Sequence, residues 1–169
     1  PKADQNRIFL RVVADGDMRL VKHCLQTGAD INAKARDMEF HDDTPGIYLA
    51  TRNNRIEIIT FLIENGADVN AVNTDGTTTL MYAADIHHAE IVQLLLNAKA
   101  KVNLKNKNGF SALLFASRNR GSPEIVKLLI NAGANVNAQN HTGETALIQA
   151  ARSCQIQIVE QLLAAKPNV

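Results

Sequence analysis

The feature that most constrains this chain is a five-residue phrase that returns at a nearly fixed interval. Gly28-Ala29-Asp30-Ile31-Asn32, Gly66-Ala67-Asp68-Val69-Asn70, Lys99-Ala100-Lys101-Val102-Asn103 and Gly133-Ala134-Asn135-Val136-Asn137 match position by position, and Lys166-Pro167-Asn168-Val169 is a shortened fifth occurrence. Successive occurrences lie 38, 33, 34 and 33 residues apart. Each is preceded by an apolar segment with helical spacing, as in Ile125-Val126-Lys127-Leu128-Leu129. A period in this range is the mark of stacked two-helix units, each too small to bury its own apolar face and stable only against its neighbours. The expectation is an all-α solenoid forming one domain over 1–169, with units at about 4–35, 36–72, 73–105, 106–139 and 140–169.

The residues between the repeated phrases fit this scheme. Ala50, Ala83, Ala116 and Ala150 are small where first helices of adjacent units must approach closely. Asn73-Thr74-Asp75-Gly76 and Asn106-Lys107-Asn108-Gly109 are turn-forming tetrads. Gly28, Gly66 and Gly133 suit a left-handed helix C-cap, a conformation that Lys99 and Lys166 must adopt without glycine. Asn32, Asn70, Asn103 and Asn137 are expected to bond the backbone of the following turn. Ser122-Pro123 reads as a cap and first-turn pair for the second helix of its unit, and Thr44-Pro45 as the same for a first helix, although Gly46 intervenes before Ile47. In the first unit, a first helix is expected around Asn6 to Ala14, with Leu20, Val21, Cys24 and Leu25 as the apolar stripe of the second. The connection before the second unit is longer than the others by five residues, which fall within Arg36 to Asp43.

Composition excludes several functions. Eighteen basic and seventeen acidic residues give a formal net charge of +1, which leaves no overall field to attract nucleic acid or an anionic membrane. No apolar run approaches the roughly 20 residues of a membrane span. Cys24 and Cys154 fall in the first and last units, too far apart along a linear stack for a disulfide, and two thiols suit a cytoplasmic setting without excluding the periplasm or secretion. Cys24 occupies a leucine-like place in its helix, whereas Cys154 falls in an inter-helix turn. No nucleophile elbow, phosphate loop, zinc-protease signature or metal-ligand spacing is present. His87-His88 reads as a turn element, and Glu39, His41, Asp42 and Asp43 as a solvated loop whose spacing matches no cation cage. No catalytic residue, cofactor or metal is therefore assigned.

The repeated unit resembles that of the ankyrin repeat family. The family's first-helix pattern appears as Gly76 to Ala84 (GTTTLMYAA), Gly109 to Ser117 (GFSALLFAS) and Gly143 to Ala151 (GETALIQAA). The second-helix pattern appears as Glu57-Ile58-Ile59, Glu90-Ile91-Val92, Glu124-Ile125-Val126 and Gln157-Ile158-Val159. The resemblance implies helix-turn-helix units joined by short hairpin-like connections and curved into a cupped hand. It also implies a non-catalytic scaffold that holds a partner protein with its hairpin tips and the concave face of its first helices.

Carried onto this sequence, the tip positions are Thr74, Asp75 and Thr77, then Lys105, Lys107 and Phe110, then His141 and Glu144. The ends of the first helices contribute Arg52 and Asn53, Asp85 and Ile86, Arg118 and Asn119, and Arg152 and Ser153. Arg recurs at three of the four matching positions, with Asp85 the exception, and Arg is favoured at interface anchors because its planar fork pairs with carboxylates and stacks on rings. Tyr82, Phe110 and Phe115 lie on or beside this surface, Phe110 at a tip position where an exposed ring is expected. The competing reading makes Tyr82 and Phe115 core and the Arg residues merely solvated. The primary expectation is a monomeric scaffold binding another protein of acidic or mixed apolar-acidic character. The alternatives are a regulatory or targeting module of a larger protein or effector, and a binder of a small anionic ligand.

Overall fold

A computed structural model describes residues 2–35 and 43–165. The connection spanning 36–42, including Glu39, His41 and Asp42, and the phrase beginning at Lys166 lie outside the described residues. The chain divides into two compact units, 1–79 and 80–169.

In unit 1, α1 (Lys2–Asp15) and α2 (Met18–Gln26) form the first helix pair, and α3 (Gly46–Arg52) and α4 (Ile56–Glu64) the second. α1 packs on both α2 and α3, and α3 on α4. Phe9, Val13, Val21, Leu49, Ile59 and Leu62 have no accessible surface and form the core. Each such side chain contributes on the order of 1.5–3 kcal/mol by leaving water. Of the stripe expected on α2, Val21 and Cys24 are buried, but Leu20 is 47% exposed. α2 is short and amphipathic, and Leu20 stands beside its buried stripe rather than in it.

The start of α3 departs from expectation. Thr44 and Pro45 do not form the cap and first turn of a helix. They form a short strand, β2 (Thr44–Pro45), antiparallel to β1 (Lys34–Ala35), with Lys34 opposite Pro45 and Ala35 opposite Thr44. The helix begins at Gly46, with Pro45 at its N-cap position at ψ 152° and no side-chain cap bond. Packing explains the glycine. A Cβ at Gly46 would stand 3.3 Å from Cε1 of the Phe9 ring, so α3 lies on α1 at a distance few side chains allow.

Unit 2 repeats the helix pair three times: α5 (Thr79–Asp85, its first residue at the edge of unit 1) with α6 (Ala89–Asn97), α7 (Ala112–Ala116) with α8 (Pro123–Asn131), and α9 (Ala146–Arg152) with α10 (Ile156–Ala164). Second helices stack on second helices, α8 between α6 and α10, and α7 packs on α9. Ala83, Ala116 and Ala150 are fully buried, as the requirement for close approach dictates, and so are Ile91, Val92, Ile125, Val126 and Leu129. Ser122 caps α8 as read from the sequence, its Oγ accepting from the Ile125 amide at 3.3 Å, with Pro123 in the first turn. Ser111 and Thr145 cap α7 and α9 in the same way.

The turn between the helices of each pair contains one left-handed residue: Gly16, Asn54, His87, Asn119 and Cys154 in succession. Four of these five are not glycine. Asn accepts positive φ more readily than most residues, and His does so to a lesser degree. His87 thus builds its turn, as expected of it. Lys99, likewise, takes the C-cap geometry at φ 63° where the matching positions have glycine.

Two of the repeated Asn residues, Asn32 and Asn103, bond beyond their own repeat. Oδ1 of Asn32 accepts the amide of Asp68, one repeat further on, at 2.8 Å. Asn103 does the same for Asn135 at 2.8 Å and also donates from Nδ2 to the Gly133 carbonyl at 3.0 Å. Asn6 supplies the equivalent bond to Asp30. At three of the four positions the local turn is closed by the residue two before the Asn: Asp30 accepts from Asn32, Asp68 from Asn70 and Asn135 from Asn137. Asn32 and Asn103 are therefore stitches between repeats, not pins within one.

Candidate partner-binding surface

The hairpin tips are built on a second set of asparagines. In unit 2, Oδ1 of Asn106 accepts the amides of Asn108 at 3.0 Å and Phe110 at 2.9 Å, and Oδ1 of Asn140 those of Thr142 at 3.0 Å and Glu144 at 2.9 Å. Asn73 holds the tip of unit 1 identically through Asp75 and Thr77. Each tip backbone is thereby pinned by its own asparagine. Successive tips in unit 2 are tied together: the His141 amide donates to the Asn108 carbonyl at 3.1 Å, and Lys105 Nζ to the Gln139 carbonyl at 2.8 Å. Gly109 permits this. It sits at φ 80°, and a Cβ there would lie 2.8 Å from the His141 backbone nitrogen.

On the tips of unit 2, Lys105, Lys107 and His141 are exposed, whereas Phe110 is half-buried and not the open ring expected. Its ring centroid lies 5.2 Å from that of Phe115, which is itself buried. The Arg118 guanidinium covers both rings, 4.6 Å from the Phe115 centroid and 5.7 Å from that of Phe110. Stacking on a ring face suits the planar, weakly hydrated guanidinium.

The exception in the arginine series has a structural role. Arg118 donates from Nε at 2.9 Å and from Nη2 at 2.8 Å to Oδ1 of Asp85, so the odd residue in one repeat is the counter-ion of the next. Both side chains are about one-third exposed, at 33% and 30%. Arg152 pairs with Glu144 of its own repeat, and Asn140 and Gln149 also donate to that carboxylate. The Asn140 bond, first, and the Arg152 charge hold the Glu144 carboxyl below its ordinary range despite partial desolvation. Tyr82, Asp85 and Ile86 are half-buried, and Asn119 and Ser153 are exposed in or beside the inter-helix turns.

In unit 1, Arg52 and Asn53 are exposed at the end of α3, with the Asn53 amide donating to the Leu49 carbonyl. Thr74 and Asp75 are exposed on the tip, but Thr77 is buried at 9% and is not part of the accessible surface.

Charge separates along the chain, which the near-neutral total conceals. Residues 1–79 contain nine basic and twelve acidic residues, and residues 80–169 nine basic and five acidic. The units thus carry formal charges of −3 and +4. Sequence reading missed this because it averaged over both.

Among the described residues no group of three or more His, Cys, Asp or Glu is placed to hold a metal, and no helix is long and apolar enough to cross a membrane. A groove of about 430 Å³ lies beside Arg120, Gly121, Pro123, Cys154, Gln155 and Ile156. One cation borders it, where an anion clamp needs several converging donors.

Stacked helix pairs with pinned tips and variable outer side chains define a repeat protein of the binding class. The chain belongs to the ankyrin repeat family: a family model described as ankyrin repeats (3 copies) matches residues 9–106 and 87–169. Ankyrin repeats generally mediate protein–protein interaction. The chain is 38% identical over 63 residues to the probable palmitoyltransferase AKR2 of Saccharomyces uvarum, and 37% identical over 60 residues to the palmitoyltransferase AKR1 of Eremothecium gossypii. These stretches are 37% and 36% of this chain but only 8% of each relative.

Proposed function

We propose that this chain is a non-catalytic scaffold that holds a partner protein on the tip and first-helix face of unit 2. The observation that carries this reading is the Phe110–Phe115 pair capped by Arg118 beside the exposed Lys105 and Lys107. It combines an apolar anchor, a planar cation and a rigid frame, the ingredients of an interface hot spot. Arg152, Asn119, His141, Glu144 and Ser153 form the rim, with Tyr82, Asp85 and Ile86 beside the anchor. In unit 1, Arg52, Asn53, Thr74 and Asp75 are proposed as contact positions in their own right. The protein acts as a monomer in the cytoplasm in this reading, where a buried Cys24 and an exposed Cys154 remain thiols.

A second reading, a targeting or regulatory module within a larger polypeptide, is supported by the relatives, in which the matched stretch is a small part of an enzyme by name. The two readings share one surface and differ in what is attached to it.

Affinity capture from a lysate of the source tests the proposal. The bait is compared with Arg118→Glu/Arg152→Glu in unit 2 and, separately, with Arg52→Glu in unit 1, after circular dichroism has shown all three folded. A protein held by the native chain and lost by the unit 2 variant is the expected result. Equal retention by all three contradicts it.

A further inference from the structure

From Ile91 to Pro123 the sequence contains six basic residues, Lys99, Lys101, Lys105, Lys107, Arg118 and Arg120, and no acidic one. Two of the five acids in unit 2, Asp85 and Glu144, are already engaged by Arg118 and Arg152. Glu90 and Glu124 lie in the first turns of α6 and α8, and Glu160 lies within α10, all on second helices. The exposed Lys105 and Lys107 thus flank the half-buried Phe110 on the tip, within a stretch of sequence that contains no acidic residue.

We infer that the partner contributes an acidic segment with an apolar side chain, its carboxylates facing Lys105 and Lys107 and its apolar group covering Phe110. This rests on the proposed function and names the chemistry that the surface selects. Asp85 shows the kind of anion this surface takes: the Arg118 fork holds its carboxylate through Nε and Nη2. Exposed cations on asparagine-pinned tips steer an acidic chain during encounter, and the attraction falls as salt rises. A nucleic acid would also meet positive charge here, but base stacking needs open ring faces. Phe115 is buried and the Phe110 ring is shared between Phe115 and Arg118.

A random peptide library selected on the whole chain tests this. Enrichment of Asp and Glu around a Leu, Ile or aromatic residue is expected among the binders. The best binder is then measured by fluorescence anisotropy on the native chain, on Lys107→Glu, and on Lys105→Gln/Lys107→Glu, each with its melting curve. Lys107 is exposed, so the single variant remains informative if loss of the Lys105–Gln139 bond disturbs the fold in the double one. Weakening of about tenfold in Lys107→Glu, and a clear loss of affinity from low to physiological salt, are expected. Binders of neutral or basic composition, affinity unmoved by these substitutions, or the absence of any selected peptide would overturn the inference. So would a single-stranded oligonucleotide or an anionic vesicle binding the same face more tightly than the peptide. Neutral peptides that compete with the captured partner would leave the scaffold reading standing while removing the acidic one.

Discussion

Arg118 and Asp85, 33 residues apart, meet through two hydrogen bonds to a single carboxylate oxygen, and the guanidinium that makes them also covers the Phe110 and Phe115 rings. One side chain therefore joins two repeats and roofs the aromatic pair. With both groups about one-third exposed, solvent screening limits the pair to roughly 0.5–1 kcal/mol. A double-mutant cycle of Asp85→Ala and Arg118→Ala is expected to return a coupling of that size. Arg118→Ala alone should cost more than Asp85→Ala, because it also uncovers the rings. Equal single effects would show that the stacking contributes nothing.

The tip asparagines carry a larger share of stability than their exposed loops imply. Asn106→Ala leaves the amides of Asn108 and Phe110 without the acceptor they have now, and Asn106 is only 9% accessible. Loss of about 1–3 kcal/mol is expected in urea unfolding. Asn106→Asp retains the acceptor and should recover much of it. Recovery no better than with alanine would contradict the assignment.

Two glycines at similar φ should respond differently to the same substitution. Gly109→Ala meets the His141 nitrogen at 2.8 Å as well as an unfavourable φ of 80°, whereas Gly28→Ala at φ 100° meets nothing within 4 Å. Strain alone costs on the order of 1 kcal/mol. Thermal melts are expected to show the Gly109 variant clearly less stable than the Gly28 variant. The reverse order would mean that the contact between tips is not formed.

The cysteines should differ in reactivity. Cys24 is buried, and desolvation raises its thiol pKa above the ordinary value of 9.0, whereas Cys154 is exposed in a turn. A thiol reagent is expected to label one residue quickly in the native protein and the second only on unfolding, with Cys154 as the fast site by mass spectrometry. Fast labelling of Cys24 would require α2 to open locally.

Glu144 links its tip to pH. Its folded pKa is depressed below 4.5, chiefly by the Asn140 hydrogen bond, so its contribution is fully present above about pH 4.5 and is lost as pH falls through the folded value. An NMR titration should place its midpoint below that of a model glutamate, and Asn140→Ala should move it upward. An unmoved midpoint would remove Asn140 as the cause.

Most of the frame was legible in the sequence, because a repeat states its period several times over. The buried alanines, the Ser122-Pro123 cap and the left-handed Lys99 all follow from local rules applied at matching positions. What was not legible depends on contacts between repeats. Asn32 and Asn103 reach to the next repeat, and Asp85 finds Arg118 across a repeat boundary; neither distance is encoded by local spacing. Phe110 was expected to be open because its position is a tip, but Phe115 and Arg118 lie within reach and cover part of it. The charge separation was readable in principle. It required a boundary between units, which the unbroken repeat conceals.

The most direct test of the binding surface is hydrogen–deuterium exchange of the whole chain with and without the captured partner. Protection is predicted at the unit 2 tips, 105–110 and 139–144, and at the ends of α7 and α9, with α8 and α10 unchanged. Protection confined to α8 and α10, with the tips exchanging as before, would contradict the account.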